Sequence, residues 1–193
     1  MTTTSQSTTP TGQSLKERYE SAMTLEQFVA RAIVNTKLWV DNTARALVPL
    51  EYVAWGRQLQ CKRRLLVLLE DWCGDAVSTI PMLAALAAAV PKLELRVLRR
   101  DQNLDLMDAH LTGGARAIPV VLVLDHNYTE RAWWGPRPAA LQRWTDSAEA
   151  RALGSYERFR EQRRWYARDR GHTTLTEVLT VIERTTDALP QVA

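Results

Sequence analysis

Residues 65–76 read L-L-V-L-L-E-D-W-C-G-D-A. The run Leu65 to Leu69 is continuously apolar and bounded by charge, which suits a strand covered on both faces. A lone cysteine follows at position 73, between Trp72 and Gly74, and from Asp75 to Ala89 the chain is rich in alanine and leucine. That composition predicts a helix stopped by Pro91. A thiol therefore stands where a buried strand hands over to a helix.

Outward from this junction the pattern repeats. Leu93 to Leu98 alternates as L-E-L-R-V-L, a strand, and Asn103 to Leu111 can form a short helix closed by Gly113-Gly114. Ala117-Ile118-Pro119 leads into the apolar strand Val120 to Leu124. His126-Asn127 then turns the chain into Thr129 to Trp134, making a hairpin. Strand, helix, strand predicts a parallel pair joined by a crossover. Upstream, Ser14 with Glu17 and Thr24 with Gln27 fit capping boxes. Leu25, Phe28, Val29, Ala32 and Ile33 continue at helical spacing, so the second helix is expected to run toward Trp39. Residues 138–168 read as one or two amphipathic helices, and Thr174 to Leu189 as a closing helix with Leu175, Val178, Leu179 and Ile182 in register. The expected organisation is a disordered tail over 1–13, a helical extension over 14–56, and a sheet domain over 57–189 with a helical insertion at about 138–170.

The bulk properties exclude more than they select. The chain has 193 residues and a net charge of +3, enough for one core and too little charge imbalance to imply a polyanionic partner. Its first residues lack the basic and apolar regions of a secretory signal, and the apolar run from Ile80 to Val90 is too short to span a bilayer. No membrane is expected, and a reducing cytoplasm is the expected compartment. His110, His126 and His172 lie far apart without metal-ligand spacing, and Gly113-Gly114 lacks the surroundings of a phosphate loop. Residues 151–170 hold seven arginines against three acids, with Tyr156, Phe159, Trp165 and Tyr166 interleaved. The expectation is a helix whose aromatics pack on the core while its arginines face water, so nucleic acid is not the expected partner.

The W-C-G at the end of the first core strand, the Ile118-Pro119 that opens the third, and the order β-α-β-α-β-β-α resemble the thioredoxin superfamily. The match runs over roughly 60–135 plus the final helix. Within it, D-W-C-G-D-A, the 103–111 segment and G-G-A-R-A-I-P-V-V-L-V-L-D are similar to a group of bacterial thioredoxin-like proteins. The resemblance implies an α/β thioredoxin-like fold: a central mixed sheet flanked by helices, with a helical extension at the N-terminus and extra helices at the C-terminus. It also implies that Cys73 occupies the place of the attacking cysteine at a helix start, where backbone N–H groups and the dipole favour a thiolate. Around Cys73 the motif departs from the family. Ala76 stands where the resolving cysteine would be, Asp75 replaces the usual proline and opposes a thiolate, and Val67 replaces a buried aspartate that assists proton transfer. Cys61 cannot resolve, because an extended segment of ~3.3 Å per residue separates it from Cys73 by roughly 20 Å. Ile118-Pro119 resembles the family's cis-proline element, which offers backbone groups to an extended peptide or glutathione. Trp72 resembles the aromatic beside that groove, with Trp133, Trp134 and the G-P-R-P turn along its edge.

Two readings follow. In one, Cys73 is a monothiol that attacks a disulfide and is released by an external thiol, so the expected partner is glutathione or a disulfide-bearing protein. In the other, the motif Trp72, Gly74, Asp75, Ala76 and the groove at Ile118 and Pro119 belong to a non-catalytic module that binds a protein or peptide. No cofactor or metal is implied by either, and the sequence does not set the oligomeric state.

Overall fold

The computed structural model describes residues 12–185, so most of the expected tail and the last residues of the expected closing helix lie outside it. Four helices come first: α1 (Leu15–Ser21), α2 (Leu25–Val29), α3 (Thr36–Arg45) and α4 (Leu50–Arg57). Both capping boxes form, each side chain taking an N–H that the helix start leaves unpaired. The second helix is shorter than its periodicity predicts. It ends at Val29, and the chain turns through Asn35, at φ +55°, before α3 begins. That turn carries Trp39 into the core, edge-on to Phe28 with ring centroids 5.2 Å apart. Ile33, expected on the buried face, is instead 87% exposed.

The sheet has four strands, β1 (Arg63–Leu69), β2 (Leu93–Arg99), β3 (Val120–Leu124) and β4 (Glu130–Trp134), in the order β2-β1-β3-β4. β1 runs parallel to β2 and antiparallel to β3, and β3 and β4 form the hairpin. The two unbroken apolar runs are thus the central strands, buried on both faces as their composition requires. Val67 lies level with Val97 and Val121 across the sheet. Met23 covers the outer edge of β2, exchanging two backbone hydrogen bonds of 3.0 and 2.9 Å with Val97.

The crossover helix α5 (Gly74–Ala89) contains Pro81, which has no N–H for the Val77 carbonyl one turn back. Asn42 of α3 supplies the donor at 2.8 Å, so the carbonyl stays satisfied and α3 is fastened to α5. After the short α6 (Leu104–Asp108), Gly113 and Gly114 do not stop the helix as expected. Both have positive φ in a tight turn between Thr112 and Ala115, which bridge to each other. His110 then donates or accepts at Glu130 of β4, 2.8 Å away, fastening the segment ahead of β3 to the hairpin. Burial alone would lower its pKa, but the Glu130 carboxylate and the Leu106 carbonyl outweigh burial and raise it.

The chain finishes with α7 (Ala139–Thr145), α8 (Ala148–Ala152), α9 (Ser155–Asp169) and α10 (His172–Arg184). α10 buries Leu175, Val178, Leu179 and Ile182 completely and packs on β4, α4 and α5. Trp134 reaches Glu177 of this helix through its indole N–H at 2.8 Å, which ties β4 to α10.

Where β4 ends, Gly135 has φ +141°, and a Cβ built on it would stand 2.1 Å from the Pro119 carbonyl oxygen. Backbone-to-backbone contact that close cannot relax by a rotamer change. Gly135→Ala is expected to cost about 3 kcal/mol, a fall of roughly 6–12 °C in Tm for a domain of this size. Thermal melting followed by circular dichroism tests this, and an unchanged Tm would contradict the contact.

Candidate functional site

The first turn after β1 sets the thiol. Cys73 is the N-cap of α5: the Ala76 N–H donates to Sγ at 3.4 Å, and the thiol donates to the Ile118 carbonyl at 3.3 Å. Sequence analysis placed Cys73, Ile118 and Pro119 together, and they do meet here, with the Ile118–Pro119 bond cis. Only 7% of Cys73 is exposed. Burial first, and then the Asp75 charge, push its pKa up to about 11, against the Ala76 and Asp75 N–H groups and the Arg137 charge, which pull it down. The helix-start geometry that favours a thiolate is present and is outweighed. Ala76 is fully buried, leaving no second thiol within the motif.

Asp75 organises the surroundings. Its Oδ2 accepts two bonds from Arg137, from Nε at 3.0 Å and Nη2 at 2.6 Å, while Oδ1 accepts the Tyr166 hydroxyl at 2.7 Å. A buried carboxylate needs such partners. Burial and the Asp75 charge hold the Tyr166 phenol far above the tyrosine range, so it remains a donor. The three groups join the start of α5, the turn after β4 and the last turn of α9. Neither Arg137 nor Tyr166 was singled out from the sequence as a partner of Asp75.

On the other side of the motif, Asp71 holds a loop in place. Its Oδ2 accepts the N–H of Ile33 at 2.9 Å and of Val34 at 3.4 Å, and its carbonyl accepts Trp39 Nε1 and Asn35 Nδ2. The backbone between α2 and α3 is pinned while the Ile33 and Val34 side chains face outward. Beside them Trp72 is 47% exposed, with the Arg100 guanidinium 4.9 Å from its ring centroid. Arg100 also donates to the Arg116 carbonyl, two residues before Ile118. Arg100 thus links the exposed Trp72 to the segment that leads into Ile118–Pro119.

The family model described as thioredoxin matches residues 22–151, more than half of the chain. The chain belongs to the thioredoxin family. Two solved structures share the fold: a protein of unknown function from Pseudomonas aeruginosa, at 22% identity and TM-score 0.70, and an HIV epitope-scaffold, at 20% identity and TM-score 0.69. In each case the similarity covers 89% of this chain and 98% of the other. No match was found among curated proteins.

Other sequence candidates in this thioredoxin-family chain lie elsewhere. Cys61 and Cys73 are both free and flank opposite ends of β1. Trp133 packs edge-on to His110. Among the described residues no cluster of three His, Cys, Asp or Glu could hold a metal, and no helix is long and apolar enough to cross a membrane. The arginine-rich helix α9 departs from expectation. Trp165 and Tyr166 are half-buried, whereas Tyr156 and Phe159 are 75% and 56% exposed. α9 docks through a polar anchor, and its N-terminal aromatics have no core to reach.

Tyr166→Phe deletes one hydrogen bond to a buried carboxylate and is expected to lower stability by about 1.5–2 kcal/mol. Asp75→Ala strands the Arg137 guanidinium and is expected to cost more, about 3 kcal/mol. Urea denaturation of both variants tests the order. Equal, negligible losses would show the triad to be inert.

Proposed function

We propose that this protein is a non-catalytic thioredoxin-fold binding module that recognises a protein or peptide segment through Trp72, Ile33, Val34 and the Ile118–Pro119 edge. The observation that carries the reading is the setting of Cys73: a buried thiol 3.3 Å from the Ile118 carbonyl, in surroundings that favour its protonated form. Thiol–disulfide exchange needs an accessible thiolate. The recognition surface supports the same reading, because an exposed tryptophan backed by an arginine, on a hydrogen-bonded, pre-ordered backbone, is what binding interfaces use.

Monothiol exchange with glutathione or a disulfide-bearing protein keeps one observation in its favour, the Ala76 N–H aimed at Sγ from the helix start. The pH dependence of alkylation separates the two. A pKa near 11 in place of 9 leaves about 100-fold fewer thiolates at neutral pH. Iodoacetamide labelling read by mass spectrometry, with Cys61 as internal reference, is expected to modify Cys73 far more slowly. Its rate should still be rising with pH above 9. Fast labelling with an inflection below pH 7, or a Cys73–glutathione mixed disulfide formed by the folded protein, would replace the binding reading with the monothiol one.

A further inference from the structure

The net charge of the whole chain sits in one short segment. Residues 151–170 carry seven arginines and three acids, whereas the remaining residues carry eighteen basic and nineteen acidic side chains. The +3 of the protein is thus a local +4 set against a slightly negative body. Most of that segment is α9, whose outward side presents Arg160, Arg163 and Arg164, with Arg170 exposed at its C-cap. Glu161 lies 2.6 Å from Arg164 and 3.8 Å from Arg160. Arg163 and Arg170 have no carboxylate in ion-pair reach among the described residues. Tyr156 lies at the start of the same side and Phe159 at its border, nearly in line with Tyr166; they are 75% and 56% exposed, so the surface combines guanidinium groups with free aromatic faces along ~20 Å of helix.

Folding explains little of this arrangement. Of α9 only Gln162 is buried, and the helix is held by the Tyr166 hydroxyl, so Tyr156 and Phe159 contribute no packing to the core. We propose that the outward face of α9 is a docking surface for single-stranded nucleic acid. Phosphates pair with guanidinium groups and unstacked bases lie on aromatic rings, so one strand occupies both kinds of group along the helix. An acidic peptide would use the arginines and leave Tyr156 and Phe159 in water. A lipid surface needs a free apolar stripe, and the other side of α9 is already committed to the protein.

Fluorescence anisotropy with a fluorescein-labelled 20-nucleotide oligouridylate, titrated at several salt concentrations, tests the assignment. Each neutralised phosphate contributes about −0.7 to the slope of log K against log salt for a single strand. Four contacts give a slope near −3, and the Arg160→Ala/Arg163→Ala double variant is expected to flatten it by about 1.4. Tyr156→Ala and Phe159→Ala should each weaken binding about 5- to 100-fold at every salt concentration with the slope unchanged. Trp72→Ala should leave all of this unaltered, so failure of the groove reading and failure of this one are separable. No binding at 50 mM salt, aromatic variants that bind like the parent, or competition by poly-L-glutamate as effective as by unlabelled oligouridylate would overturn it, the last in favour of an acidic protein surface.

Discussion

A carboxylate buried at the first turn of α5 constrains the rest of the site. Asp75 has lost most of its water, and the helix start beside it supplies only partial positive charge. The compensating groups come from Arg137 and Tyr166, 62 and 91 positions further along the chain. Satisfying one side chain therefore fixes where the turn after β4 lies and how α9 crosses α5. The same negative charge adds to burial in keeping Cys73 protonated. One residue in the position where the family usually has proline thus anchors the C-terminal helices and disfavours the thiolate.

Asp71 plays the corresponding part for the N-terminal helices. Its carboxylate and carbonyl take donors from Ile33, Val34, Asn35 and Trp39, so the loop between α2 and α3 is ordered by the turn that precedes the thiol. Glu70 accepts from Arg99 at 2.9 Å and from the Asp101 N–H at 3.0 Å, tying the ends of β1 and β2 together. Three consecutive steps along Glu70, Asp71 and Trp72 therefore serve the sheet, the N-terminal extension and the exposed surface in turn.

The strands and the helices α1, α2, α5 and α10 were legible because unbroken apolar runs, capping boxes and helical spacing are local consequences of burial and backbone pairing, whereas α3, α4 and the division of 138–168 into three helices were not. The position of Cys73 at a helix start was legible for the same reason. Ile33 misled because it continued an apolar spacing that the chain abandons at Val29; its backbone is claimed by Asp71, a partner 38 residues away. Phe159 misled because helical spacing reports which residues share a side, not whether that side meets a core. The Asp75 triad was illegible in principle from periodicity: a buried charge requires a counter-charge, but nothing local selects Arg137 from twenty-one arginines.

The thiol's own hydrogen bond bears on how the groove could be used. Cys73 occupies the Ile118 carbonyl, an acceptor that a strand laid along this edge would require. An S–H group is a weak donor, so a backbone N–H from a bound segment displaces it at little loss. A serine hydroxyl would hold the carbonyl more strongly and obstruct the same segment. On the binding reading, cysteine at this position thus combines two properties: it fills the buried space beneath Pro119 as a small apolar side chain, and it leaves the recognition acceptor nearly free.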